Sequence, residues 1–166
     1  MGEDLPGTGC AVPLVEGEHP LNQGDWQRLW LAAGHSPCPC RDRCLLHLFW
    51  HLGPTVSAAA ALRLEQVDFL GGCLRAGGDE ILLPPELLRA IATYVSIERP
   101  ARSGPALFIG RHGRPLRPAA IHRVFHSMAA ASGVAADPQR LRRQALVRQL
   151  LARPVATLRR LRPQTV

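Results

Sequence analysis

The sequence predicts a mainly α domain with one small antiparallel β-sheet, an α+β fold. Three observations predict it. Apolar residues recur at i, i+3, i+4 and i+7 in most periodic segments, the spacing of one buried helical face. Between about residues 67 and 85 that period gives way to short strand-like pieces joined by Gly-Gly pairs. The apolar content of 46% over 166 residues is enough to bury a core.

Each element follows in order. Residues 1–20, rich in Gly, Pro and Glu, read as a flexible leader, and residues 21–166 as one domain. Asn22 is the expected N-cap of a helix ending at Gly34, with Trp26, Leu29, Trp30 and Ala33 on its buried face. HSPCPC reads as a proline-broken link, and Arg41 to Leu52 as a strongly apolar central helix. VSAAAALRL gives a short alanine-rich helix. VDFLGGCLRAGGDEILLPP supplies two or three strands. Pro85 opens a helix through ELLRAIATYVSIE, with Leu87, Leu88, Ile91 and Val95 spaced for burial. ALFIG is a short apolar piece and RHGRPL a turn. PAAIHRVFHSMAAASG is the cleanest amphipathic helix, with Ile121, Val124, Phe125 and Met128 on one side and His122, Arg123 and His126 on the other. Two arginine-loaded helices, divided at Pro154, complete the chain.

Charge is distributed unevenly. Up to Arg99 there are 7 Arg against 12 Asp plus Glu, a net of −5; from Pro100 on, 13 Arg face only Asp137, a net of +12. Codon bias in a GC-rich genome would account for the absence of lysine but not for the disappearance of acids. A basic half of this kind points to a polyanion, most commonly nucleic acid. No run approaches the roughly 18 apolar residues of a membrane span. The acidic start MGEDLPGTGC has no apolar stretch of a secretory signal, so a cytoplasmic protein with no membrane partner is expected. Five cysteines, an odd number, argue against a disulfide framework.

Four segments together carry a resemblance. RDRCLLHLFWHLGPTVSAAAALRLEQVDF, GGCLRAGGDEILLPPELLRAI, LFIGRHGRPLRPAAIHRVFHSMAAASGV and PQRLRR stand in the order and at the spacing of the catalytic domain of tyrosine recombinases. From about Leu21 to Gln164 the chain resembles that phage-integrase and Xer-like family. The resemblance implies a DNA-binding protein related to DNA recombination and integration, and a chemistry of strand transfer through a 3′-phosphotyrosine. Such chemistry needs a tyrosine nucleophile, two arginines on the phosphate, a lysine general acid and assisting histidines. By the same alignment the first arginine falls on Thr55 and the acid after it on Ala58. The first His or Lys of PHxLRH is Gln139, and its second His is Arg143. Arg142 alone of that set is kept. No lysine exists for the hairpin, and the sequence reaches Val166 before the position of the family's nucleophile, while Tyr94 lies among apolar neighbours in a mid-domain helix. The expectation is a catalytically inactive, C-terminally truncated member with no cofactor.

Its partner is expected to be double-stranded DNA held by backbone phosphates, together with other recombinase-like subunits. Arg140, Arg142, Arg143, Arg148, Arg123 and His122 are the expected DNA-binding residues. A protein-interaction module that keeps the fold without binding DNA is the alternative. The pattern C-x-C-x3-C-x2-H-x3-H, over Cys38, Cys40, Cys44, His47 and His51, has zinc-ligating residue types. By the resemblance, however, Cys44 falls on a small position of the family's core helix, usually Ala, where Cys behaves as a small hydrophobe, and His47 and His51 fall on variable positions of that helix, so no metal is expected. The i, i+4 pair His122 and His126 is read as surface or phosphate-contacting.

Overall fold

A computed structural model describes residues 19–152. The leader, except its last two residues, and the second arginine-loaded helix with Arg153, Arg159, Arg160 and Arg162 lie outside the described residues. The described chain is mostly helical with one three-stranded antiparallel sheet, as the sequence predicts.

Helix α1 (Gln23–Gly34) starts at a reciprocal capping box: the Asn22 side chain accepts from the Asp25 N–H and the Asp25 carboxylate from the Asn22 N–H, each at 3.0 Å. Leu29 and Ala33 are fully buried, and Trp26 and Trp30 flank them half-buried. Helix α2 (Pro39–His51) begins two residues before the expected Arg41. Pro39 sits in the first turn, where a missing N–H breaks no helical bond and the fixed φ suits the helix. Cys38 offers no side-chain cap. Glu98, 57 residues on from Arg41, takes that role, accepting the Cys40 and Arg41 N–H groups at 3.2 and 2.7 Å.

Helix α2 is the hub of the core. Cys44, Leu45, Leu46, Leu48 and Phe49 are buried, and Phe49 meets Phe125 edge-on at 5.0 Å. Short α3 (Val56–Ala61) is capped by the Thr55 hydroxyl, which accepts from Ala58 N–H at 3.1 Å. Strands β1 (Val67–Asp68), β2 (Cys73–Ala76) and β3 (Asp79–Leu82) follow in sheet order. The β2–β3 link is the two-residue loop Gly77–Gly78, φ +61° and +87°, the left-handed pair that a tight hairpin of matching twist needs.

Helix α4 (Pro85–Thr93) keeps the expected proline start but loosens into a π-helical turn over Tyr94–Glu98, where the Arg99 N–H reaches back to the Tyr94 carbonyl at 2.9 Å. Helix α5 (Pro118–Ser132) buries Ile121, Phe125 and Met128, and α6 (Pro138–Ala152) buries Leu141 and Ala145.

Helix α6 docks across the C-terminal end of α2. Beyond α2, Gly53 at φ +57° donates to the Phe49 carbonyl at 3.1 Å and stops the helix. A Cβ at Gly53 would lie 2.8 Å from the Ala145 Cβ and 3.1 Å from the Arg142 backbone, so glycine is what permits the approach. The carbonyls left open at that end are then satisfied from α6. Arg148 Nη2 donates to Trp50 O at 2.8 Å, Gln149 Nε2 to His51 O and Leu52 O at 3.0 and 3.3 Å, and Arg142 Nη1 to Gly53 O at 2.7 Å. Two guanidinium charges thus stand at the negative end of the helix dipole. The Arg148 guanidinium also lies 4.2 Å over the Trp50 ring. Among the described residues no helix is long and apolar enough to cross a membrane.

Candidate nucleic-acid interface

The predicted DNA-binding residues separate into two groups. On α6, Arg140, Arg142 and Arg148 turn their guanidinium groups onto the protein's own backbone. Arg142 and Arg148 hold the end of α2, while Arg140 donates to His19 O at 2.6 Å and to the Ala135 carbonyl. Burial pulls the Arg148 pKa below its ordinary value. Arg143, next to Arg142, is exposed. On α5, His122 and Arg123 are both exposed, and Arg123 lines a cleft of about 620 Å³.

That cleft gathers what the sequence disperses. One wall is the turn between Phe108 and Leu116, closed by Gly110 N–H donating to Arg114 O at 2.7 Å and Leu116 N–H to Phe108 O at 2.9 Å. Arg111, His112 and Arg114 of this turn line the cleft, together with Arg117, which immediately precedes α5, and Arg123 on α5. Among the described residues none of the guanidinium groups of Arg111, Arg114, Arg117 and Arg123 has a hydrogen-bond or ion-pair partner. The floor is Arg41 with Asp42, 7% and 3% exposed. Arg41 Nη2 meets Asp42 Oδ1 at 2.8 Å, and its Nη1 donates to Ile109 O at 3.4 Å. The single acid of the cleft is thereby already neutralised, and the outer cations face an electropositive concavity.

The turn is held from beneath by Tyr94. Its side chain is 2% exposed, stacks on Phe108 at 5.8 Å, and its hydroxyl accepts the Ile109 N–H at 3.0 Å. Burial pushes the phenol pKa up to about 12, against the smaller opposing pull of that hydrogen bond. Tyr94 is a structural post under the cleft, remote from solvent. The β2–β3 hairpin presents Asp79 and Glu80 to solvent, and its Arg75 is shared between Asp68 at 2.9 Å and Glu80 at 3.2 Å.

Of the arginines that line the cleft, the sequence reading named Arg123 and passed over Arg111, Arg114 and Arg117, because RHGRPL was read only as a turn. The available signal was density: RHGRPLR puts three arginines and a histidine into seven residues with no acid.

The cysteine–histidine face of α2 has a different character. No group of three or more His, Cys, Asp or Glu is placed to hold a metal ion among the described residues. Cys44 is fully buried, which drives its thiol pKa far up. The His47 ring meets Trp26 edge-on at 4.8 Å and stacks on His51 at 5.7 Å. Burial first, then His51, lowers the His47 pKa to about 4. The folded state therefore refuses a proton that the unfolded chain accepts at about 6.5. This contribution to stability is complete above pH 6.5 and is lost as pH falls toward 4. Thermal melts are expected to show Tm dropping across that window, with a shallower drop in His47→Leu; parallel curves would remove His47 from the account.

No family model matches the chain. Over 123 residues, 69% of this chain and 41% of the relative, it is 33% identical to "Tyrosine recombinase XerC" of Chromobacterium violaceum. It is 27% identical over 127 residues to "Putative integrase/recombinase y4rA" of Sinorhizobium fredii, covering 70% of this chain and 31% of that protein. The chain thus spans less than half the length of either relative. Among solved structures, XerA recombinase superposes with a TM-score of 0.69 at 17% identity, over 81% of this chain and 51% of that one. The Tn1549 transposon integrase in complex with transposon right end DNA gives 0.68 at 14%, over 87% and 57%.

Proposed function

The chain carries a tyrosine recombinase/integrase-like domain, and from that premise we propose that it binds double-stranded DNA by its backbone phosphates without cutting it. The observation that carries the DNA reading is the cleft: four arginines line it, their guanidinium groups without an acidic partner among the described residues. Duplex phosphates are the polyanion such an array fits, since each neutralised phosphate releases counterions. The integrase relative in complex with DNA supports the same ligand class. Arg111, Arg114, Arg117 and Arg123 form the centre of the interface, with His122 beside them. Arg143 extends it on α6. Arg140, Arg142 and Arg148 act on the fold first, and any phosphate contact they make uses donors left over from it.

Tyrosine recombinases are enzymes, but the residues here support a non-catalytic role. Thr55, at the place of the first family arginine, spends its hydroxyl on capping α3. Arg142, the retained arginine, donates to a backbone carbonyl. Tyr94 is buried, and its raised pKa keeps it a phenol rather than a nucleophilic phenolate. The hairpin, where the family carries its lysine acid, offers Asp79 and Glu80 instead, which repel phosphate. Losing one phosphate-clamping arginine alone is worth roughly 10³ to 10⁵ in rate.

An anisotropy titration on random duplex DNA between about 50 and 200 mM salt tests the binding. Log K should fall linearly with log salt. No binding at low salt, or a salt-independent constant, would overturn the DNA reading and leave a protein-interaction module. A suicide substrate should yield no adduct stable to denaturant; an adduct mapping to Tyr94 would overturn the inactive reading.

A further inference from the structure

A second concavity shares no lining residue with the basic cleft. It holds about 310 Å³, at the lower end of the roughly 300 to 1,000 Å³ of small-molecule sites. Two helical stripes build it: Arg43 and His47 at i and i+4 on α2, and Glu86, Arg89 and Ala90 at i, i+3 and i+4 on α4. Trp30 of α1 adds an aromatic wall. A further cavity of about 440 Å³, which also has Trp30 and His47 in its lining, adjoins it with Trp26 and Leu31.

Arg43 is held in place for an anion it lacks. Its half-buried guanidinium lies 3.5 Å over the Trp30 ring, and its Nε donates to Trp30 O at 3.3 Å. Helix α1 ends beside it at Gly34, where a Cβ would collide with Arg43 Nη2, so the glycine leaves the guanidinium its place. These contacts use the face of the group and one N–H, and leave donors on its rim for a planar acceptor. Among the described residues no carboxylate is ion-paired with Arg43 or with Arg89. Exposed Glu86 is the one acid of the lining, so its two arginines leave one positive charge in excess. His47 contributes a buried ring nitrogen, Nδ1, without a hydrogen-bond partner. We infer that this cavity binds a small organic anion, an apolar body carrying a single carboxylate. The carboxylate takes the free donors of Arg43 and Arg89, where charge-assisted and bidentate bonds are the strong ones. The body packs on Trp30 and Ala90, which offer a sugar or a polyol nothing to bond. A nucleic-acid strand fits this lining poorly, because its phosphates recur along the chain and one excess cation answers one charge. The site therefore stands apart from the DNA reading and does not depend on it.

Cinnamate, a ring with one carboxylate, and its neutral amide of the same shape supply the test. In proton–nitrogen NMR of the full chain, cinnamate should move the Trp30 indole N–H and the Arg43 and Arg89 Nε–H signals along one saturable curve. The Arg111 and Arg123 signals in the basic cleft should stay in place. The amide should bind at least about tenfold more weakly, as the loss of a charge-assisted contact implies. Arg89→Gln, at an exposed position, should weaken cinnamate by a similar factor at unchanged Tm. Equal binding of acid and amide, undiminished binding by Arg89→Gln, or no saturable shift at millimolar cinnamate would each overturn the inference. Equal movement of the cleft arginines would make cinnamate a general counter-ion of this basic protein and overturn it as well.

Discussion

Replacing Arg111, Arg114, Arg117 and Arg123 together by Gln is expected to abolish most DNA affinity while the protein stays folded. All four side chains are exposed and without partners among the described residues, and Gln has nearly the helix propensity of Arg at position 123. Up to four phosphate contacts vanish, so the slope of log K against log salt should shrink by about 3 to 4 units. Between about 50 and 200 mM salt, the parent should lose on the order of 10²-fold more affinity than the variant. The deficit should be alike on unrelated sequences, because phosphate contacts position without specifying. Arg28→Gln, at an exposed arginine already paired with Asp25, serves as the control and should change neither quantity. A quadruple variant that binds like the parent would move the interface away from the cleft.

The second large effect falls on stability. Arg142→Met with Arg148→Met keeps most of the side-chain length and removes the donors. The Gly53 and Trp50 carbonyls then lose their partners at the end of the central helix. Orphaned groups of this kind cost about 1 to 3 kcal/mol each. Because both cap one helix end the two losses are coupled, and roughly 2 to 4 kcal/mol in total is expected. Urea titration should show a lower midpoint at unchanged slope, with a smaller change in DNA affinity than the cleft variant gives. Full stability combined with collapsed binding would return these two arginines to the phosphate.

What could be read from the sequence was local. Asn22 and Asp25 sit three apart ahead of an apolar stripe, and they form the capping box that this spacing announces. The stripe of Ile121, Phe125 and Met128 is buried as its period requires, and Gly77–Gly78 makes the hairpin. The misjudged α2 start is also local: PCPC looks like a link until Pro39 is recognised as a first-turn residue. What sequence reasoning could not reach was the destination of polar side chains. An arginine run on an amphipathic helix has the same pattern whether its charges face phosphate, water or the carbonyls of a helix some ninety residues earlier. Nothing in RHGRPL foretells that Arg123 will come beside it, because the juxtaposition depends on how Tyr94 seats the turn.

The bonds from α6 to the end of α2 span 89 to 98 residues of sequence. During synthesis, the central helix would leave the ribosome long before the side chains that complete it. Until residue 149 emerges, the carbonyls of Trp50 to Gly53 can turn only to water, and Gly53 has no helix against it. Chain growth at about 5 to 20 residues per second makes that interval about 5 to 20 seconds. A nascent chain halted short of α6 should thus expose the Trp50 end of α2 to proteases and chaperones, and a helix made some ninety residues later would be the one that closes the first core.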